Sequence, residues 1–171
     1  VDGTCNLIHD LHMSAISLAL VEEGRVVMGI VYNPFTGELF HAVRGQGAFL
    51  NGQPIHVSDQ KELADSLIAI GTSPYHKEWA EENFALFRRL FEVGSDIRRM
   101  GTASLDLAYV ACGRMDAYLE RGLKPWDFAA GLLLVEEAGG QVQDYQGNPL
   151  VPTQPSDIFA HNGHIGASIS L

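Results

Sequence analysis

The sequence predicts an α+β fold, with an antiparallel meander first and a mixed, helix-covered sheet after it. Three observations carry that reading. Two apolar, β-rich runs, SAISLALVE at 14–22 and RVVMGIVYN at 25–33, flank a bare Glu23-Gly24 step, the mark of a hairpin. A polar stretch, VSDQKELADS at 57–66, then interrupts the pattern. Beyond it short apolar strands alternate with helical segments, as in a sheet covered by helices.

The elements follow in order. Asn33-Pro34 and Thr36-Gly37 punctuate a turn, and ELFHAV at 38–43 alternates as a third antiparallel strand. Gly45-Gln46-Gly47 and Asn51-Gly52 are further turns around a short strand. Residues 67–71 form a strand of the second part. WAEENFALFRRLFEV at 79–93 sets Phe84, Phe87, Leu90 and Phe91 at helical spacing with charges on the other face. Trp79 and this Phe stripe are therefore expected in the core. Residues 95–100 read as a strand, 104–112 as a helix closed by Gly113, and 115–120 as a strand. A helix at 126–138 stops at Gly139-Gly140, and strands at 141–144 and 158–161 follow. The last residues, NGHIGASISL, read as the opening of a further helix.

Composition narrows the classes. Hydrophobic residues are 46% and charged residues 19% of the 171, the balance of a soluble globular chain of one domain, or one and part of another. No apolar run approaches the roughly 20 residues that span a bilayer. With 21 acidic against 11 basic residues, the net charge of −10 repels nucleic-acid backbones, and no stripe of Lys and Arg offsets it. Cys5 and Cys112 form no CxxC pair and read as free thiols of a reducing compartment, with one disulfide as the alternative.

Two stretches carry chemistry. Asp2-Gly3-Thr4 offers a hard oxygen ligand of the kind Mg2+ prefers, a residue that lets backbone approach a ligand, and a hydroxyl beside free N–H groups. The same three residues also suit an ordinary turn with a Thr cap. In Pro125-Trp126-Asp127, Pro125 suits a first helical turn and Asp127 faces the positive end of the helix dipole. The residues at 128–135 are apolar or small, so the helix should be buried all round. A carboxylate entering such a helix needs a partner, which a metal ion or the helix terminus itself can supply.

Together, VDGTCN and the distant WDFAAGLLLVEEAGG resemble the inositol monophosphatase family of Mg2+-dependent, lithium-sensitive phosphatases. That family carries a DPxDGTxNF signature, and this chain starts after its Asp-Pro. Leu7 stands where the family has an aromatic residue. The WDxAAG…EAGG signature is matched from Trp126 to Gly140. NPFTGELFHAVRGQGAFLNG and RRMGTASLDLAYVACGRMDAYLE resemble the family's meander and middle segment, so the resemblance spans nearly the whole chain. GLKPWDFAAG is closest to the bacterial members.

The resemblance implies a layered α/β/α/β/α sandwich of the sugar-phosphatase type, incomplete at the N-terminus. Residues 1–60 would be the remainder of an N-terminal α+β domain and 61–171 a C-terminal α/β domain. It implies Mg2+ held by Asp2 and Asp127, with the Val1 carbonyl offered to a second metal ion. Gly3 and Thr4 would hold phosphate through backbone N–H, with the Thr4 hydroxyl orienting the attacking water. Gly101, Thr102 and Ala103 would line the polyol pocket, and Glu120 would accept hydrogen bonds from substrate hydroxyls. The expected substrate is inositol 1-phosphate or a similar small phosphorylated polyol. The expected protein is a cytoplasmic homodimer with no nucleic-acid or membrane partner. Sister activities share the metal signatures: fructose-1,6-bisphosphatase, histidinol-phosphatase and 3′-phosphoadenosine nucleotidase. A non-catalytic binding domain is the alternative from another class.

Other features are set aside. His9 and His12 lack a third ligand at zinc spacing and read as helix-surface histidines. Arg98, Arg99 and Arg121 are expected in surface ion pairs. The family's water-orienting Glu and its first Asp precede the position of Val1. The 171 residues alone are therefore expected to release no phosphate from a monoester with Mg2+ in a phosphate-release assay, and turnover would refute this.

Overall fold

The computed structural model describes Val1–Leu171. Glu23 and Gly24 both take positive φ, 49° and 77°, the backbone twist that a two-residue hairpin requires. They join β1 (Ile16–Glu22) to β2 (Arg25–Asn33), with Glu22 opposite Arg25. β3 (Glu38–Val43), β4 (Ala48–Leu50) and β5 (Gln53–Ile55) extend the meander in strict chain order. β5 adds to the sequence expectation. Asn51-Gly52 turns the chain into a second short hairpin whose last strand carries Pro54, a residue that only an edge strand tolerates.

The second sheet is mixed, in the order β7-β6-β8-β10-β9. Within it β6 (Leu67–Ile70) runs parallel to both β7 (Asp96–Arg98) and β8 (Ala117–Leu123). β10 (Ser156–His161) lies antiparallel between β8 and β9 (Gln141–Gln143). Two helices, α3 (Ala103–Ala111) and α4 (Pro125–Glu137), fill the space between the sheets, and α2 (Ala80–Val93) packs on the far face of the second. The resulting β/α/β/α order supplies four successive layers of the expected sandwich. A short α1 (Thr4–Ile8) precedes the meander. The C-terminal stretch forms a 3-10 turn at Gly166–Ser168 rather than the start of an α-helix, held down by buried Ile165 and Ile169. No helix is long and apolar enough to cross a membrane.

The larger of two apolar cores runs from Val31 and Phe40 on the meander, through Leu107 and Leu133 in the middle layer, to Tyr118 and Ile158 on the second sheet; the smaller joins α2 to the far face of that sheet. As expected, α4 is buried on every side from Phe128 to Val135. Small residues make this possible. A Cβ on Gly29 would stand 2.7 Å from the Ala130 carbonyl oxygen, and one on Gly131 would stand 2.5 Å from the Leu107 Cβ.

The expectation for α2 needs correction. Its buried face is Asn83, Leu86, Phe87 and Leu90, whereas Phe84 and Phe91 are 62% and 58% exposed. The true stripe is one position out of phase with two of the aromatics. Phe84 instead stands edge-on to Phe87, 5.7 Å between ring centres, and shields it from solvent. Trp79 is also not core. It is half-buried, stacked on His76 at 4.0 Å with the Arg121 guanidinium 4.9 Å above it.

The contact at Gly29 is with backbone, which cannot swing aside. Gly29→Val is therefore expected to cost about 2–3 kcal/mol of stability, read as a lower urea midpoint with unchanged slope.

Candidate active site

Asp2 is anchored before any ligand is considered. Its backbone pairs with Ala15 through N–H···O bonds of 2.8 and 3.1 Å. Its Oδ1 accepts the Gly3 N–H at 2.7 Å, and its Oδ2 accepts both the N–H and the hydroxyl of Ser104, each at 2.7 Å. Ser104 lies in the first turn of α3, where unpaired N–H groups and the helix dipole favour an anion.

Gly3 follows in the left-handed region, φ 75°. A Cβ there would strike the Thr102 hydroxyl and come within 2.8 Å of the Met13 carbonyl oxygen, so only glycine fits. Its carbonyl accepts the Ser14 hydroxyl at 2.9 Å and the Leu7 N–H at 3.0 Å, which starts α1 with Thr4 exposed at its head. Asn6, buried behind Thr4, donates to the carbonyls of Met13 and Met100 at 2.8 Å each. These bonds tie the N-terminal turn to the loop before α3.

Asp127 enters from the other side, in the first turn of α4. Its Oδ2 accepts the Lys124 N–H at 2.9 Å, capping the helix. Burial pushes this carboxyl above its ordinary range against that hydrogen bond, and the negative charge of Asp2 raises it further. Glu120, on β8, is likewise raised chiefly by burial, with Tyr118, Ser73 and Arg99 opposing. Behind the wall, Asp106 of α3 is held well above the carboxylate range by burial and by the charges of Glu120 and Asp2. Its Oδ1 has no hydrogen-bond partner.

Asp2, Asp127 and Glu120 border one cleft of about 410 Å3. It brings together Val1, Asp2, Gly3, Thr4, Gly101, Ala103, Glu120 and Asp127, eight of the nine residues singled out from the sequence. Thr102 is the exception. It is fully buried beneath the cleft, donating its hydroxyl to the Met13 carbonyl and accepting from Asn6 at 3.2 Å. The phosphate role expected of the Gly3 N–H is also altered, because that donor is engaged by Asp2.

Arg98 and Arg121 are in ion pairs as expected, with Asp96 and with Glu82 and Asp157. Arg99 is not. Its guanidinium lies in the cleft wall over Gly101, with one N–H donated to the Thr72 hydroxyl at 3.3 Å. Sequence reasoning also missed Ser104 and Ser73 as supports, and Tyr75 and Trp126, exposed by 91% and 70%, as the cleft's aromatic rim. No local signal marks the first two. Trp126 was visible only as the neighbour of Asp127. Cys5 and Cys112 are free thiols, Cys5 in the cleft lining. His9 and His12 lie outside the cleft. His12 is not on a helix surface but in the following loop at φ 57°, stacked on Phe35 at 4.8 Å.

Comparison with known proteins places this geometry. The model of the inositol monophosphatase family matches residues 1–169. An inositol-1-monophosphatase of Rhizobium meliloti (strain 1021) is 43% identical over 169 residues, 99% of this chain and 63% of the relative. The Nus factor SuhB of Escherichia coli (strain K12) is 47% identical over 147 residues, 86% of this chain and 55% of the relative. Among solved structures, the inositol monophosphatase of Anabaena (Nostoc) sp. PCC 7120 superposes with a TM-score of 0.92 at 43% identity. That match covers 98% of this chain and 69% of the other. The chain thus spans somewhat under two thirds of the length of these curated relatives, and it belongs to the inositol monophosphatase family.

Proposed function

We propose that this chain is the larger part of a Mg2+-dependent phosphatase that hydrolyses a small phosphorylated polyol, inositol 1-phosphate or a close analogue. One observation carries the reading. Two carboxylates far apart in sequence, Asp2 and Asp127, border the same cleft, the charge of one raises the pKa of the other, and neither has a salt-bridge partner.

The donors suit Mg2+. Both are hard carboxylate oxygens bordering one cleft. Mg2+ is held by one or two carboxylates with waters and substrate phosphate rather than in a protein cage. Asp2 and Asp127 would hold it, with the Val1 carbonyl offered to a second metal ion. A metal held there would supply Lewis-acid neutralisation of phosphate charge and a more acidic bound water.

The remaining roles belong to the chain's own groups. Ser104 and the Gly3 N–H orient the Asp2 carboxylate. The Thr4 N–H, a first-turn donor with no helical acceptor, faces the phosphate in place of Gly3. The Thr4 hydroxyl orients a water, Glu120 accepts substrate hydroxyls, and Gly101 and Ala103 shape the pocket floor. The family's sister activities differ in what Glu120 must recognise, and a hydroxyl-rich leaving group suits a buried acceptor best. The E. coli relative is named a Nus factor rather than a phosphatase, and a non-catalytic binding domain is the second reading. Absence of turnover by the whole gene product with Mg2+ would leave only that one.

In the whole gene product, Asp127→Asn is expected to lower kcat/KM about a thousandfold, the several kcal/mol a metal contributes. Its thermal midpoint should stay level or rise, because the variant removes like-charge repulsion and keeps an acceptor for Lys124. Chelation should abolish turnover and added Mg2+ restore it. In a panel of phosphate esters, a nucleotide giving the highest kcat/KM would overturn the polyol assignment.

A further inference from the structure

The carboxylate of Glu120 is held from three directions, by Tyr118 and Gly71, which do not line the cleft, and by Ser73, which does. Tyr118, two residues earlier on the same face of β8, donates its hydroxyl to Oε2 at 2.6 Å. The Ser73 N–H donates to Oε1 at 3.0 Å. Gly71, just past β6, lies against the carboxyl so closely that a Cβ there would overlap it. Tyr118 is fully buried in the core and does not line the cleft, whereas Glu120 does. The ring therefore has one position, and its hydroxyl reaches Glu120 only from behind.

This geometry decides what Glu120 offers. A carboxylate has about four lone-pair sites, and Tyr118 and Ser73 each take one. The others are left for ligand hydroxyls, on a side chain whose rotamer no longer has to be ordered by the ligand. Burial and the charge of Glu120 push the Tyr118 phenol well up, so it remains a donor at every physiological pH.

We propose that Tyr118 is a positioning residue for Glu120, and that this buried pair, seated against Gly71, sets the preference for hydroxyl-rich phosphate esters. The inference rests on the reading of Glu120 as the acceptor for substrate hydroxyls.

The test compares wild type, Tyr118→Phe and Glu120→Gln as whole gene products with Mg2+, on inositol 1-phosphate and on p-nitrophenyl phosphate, which has no hydroxyls to offer. Tyr118→Phe should lower the ratio of the two kcat/KM values about tenfold, as loss of one charge-assisted hydrogen bond implies. The loss should come mainly through KM for the inositol ester, with p-nitrophenyl phosphate turnover little changed. Equal losses on both substrates, or an unchanged ratio, would overturn the proposal while Glu120→Gln still lowers the ratio. An unchanged ratio in Glu120→Gln would instead remove the underlying reading of Glu120, and this inference with it. If Tyr118→Phe fails to fold, Gly71→Ala displaces the same carboxyl and should lower the same ratio. An unchanged ratio there sinks the proposal.

Discussion

The grip of Ser104 on Asp2 joins the two ends of the site. One carboxylate oxygen accepts an N–H and an O–H from the first turn of α3, the other an N–H from Gly3. The two bonds from Ser104 span 102 residues of chain. The Asp2–Ala15 bridge and the Asn6 contacts reinforce them. Without that docking, Val1, Gly3 and Thr4 would have no reason to border Glu120 and Asp127. The remaining lone pairs of Asp2 are left unspoken for by the protein.

Around this anchor the structure gathers carboxyl groups that no ion pair joins. Asp2 raises the carboxyls of Asp127, Glu120 and Asp106, and Arg99 is the guanidinium of the cleft that no carboxylate pairs. Elsewhere the chain does pair its charges, as at Arg114 with Glu38 and Arg44 with Glu136, exposed bridges that contribute little to stability. Like charges gathered in a partly dry cleft are costly to the fold and belong to function.

Packing gives the cleft its rigidity. Both middle-layer helices begin at the cleft, α3 bringing Ser104 and α4 bringing Asp127. Their approach to the meander and to each other depends on Gly29 and Gly131. Because α4 is enclosed from Phe128 to Val135, the carboxylate at its head inherits the stiffness of the core. Close packing of small residues is thus the means by which a binding geometry is kept.

Much of this was legible in the sequence. Turn residues announced the hairpins because positive φ has few takers, and an unbroken apolar run announced α4 because only a sandwiched helix can hide it. Of the eight expected residues that border the cleft, Val1, Asp2, Gly3, Thr4 and Asp127 lie in the two motifs, and Gly101, Ala103 and Glu120 in the middle segment of the family resemblance. Local periodicity could not say which aromatics of α2 face inward. The answer depended on the phase at which α2 meets β6 and β7, so Phe84 and Phe91 lie outside while Asn83 is buried. Nor could it separate Thr102 from its neighbours Gly101 and Ala103, since burial beneath Asn6 and Met13 is a contact across about ninety residues. The order of strands and helices, the turns and the identity of the acids were determined by the chain alone, because short-range sterics and burial of apolar faces act along it. Which side chain supports which acid, Ser104 for Asp2 and Tyr118 for Glu120, was decided only by the tertiary structure, because a hydrogen bond of 2.6 or 2.7 Å has no direction along the chain until the layers are stacked.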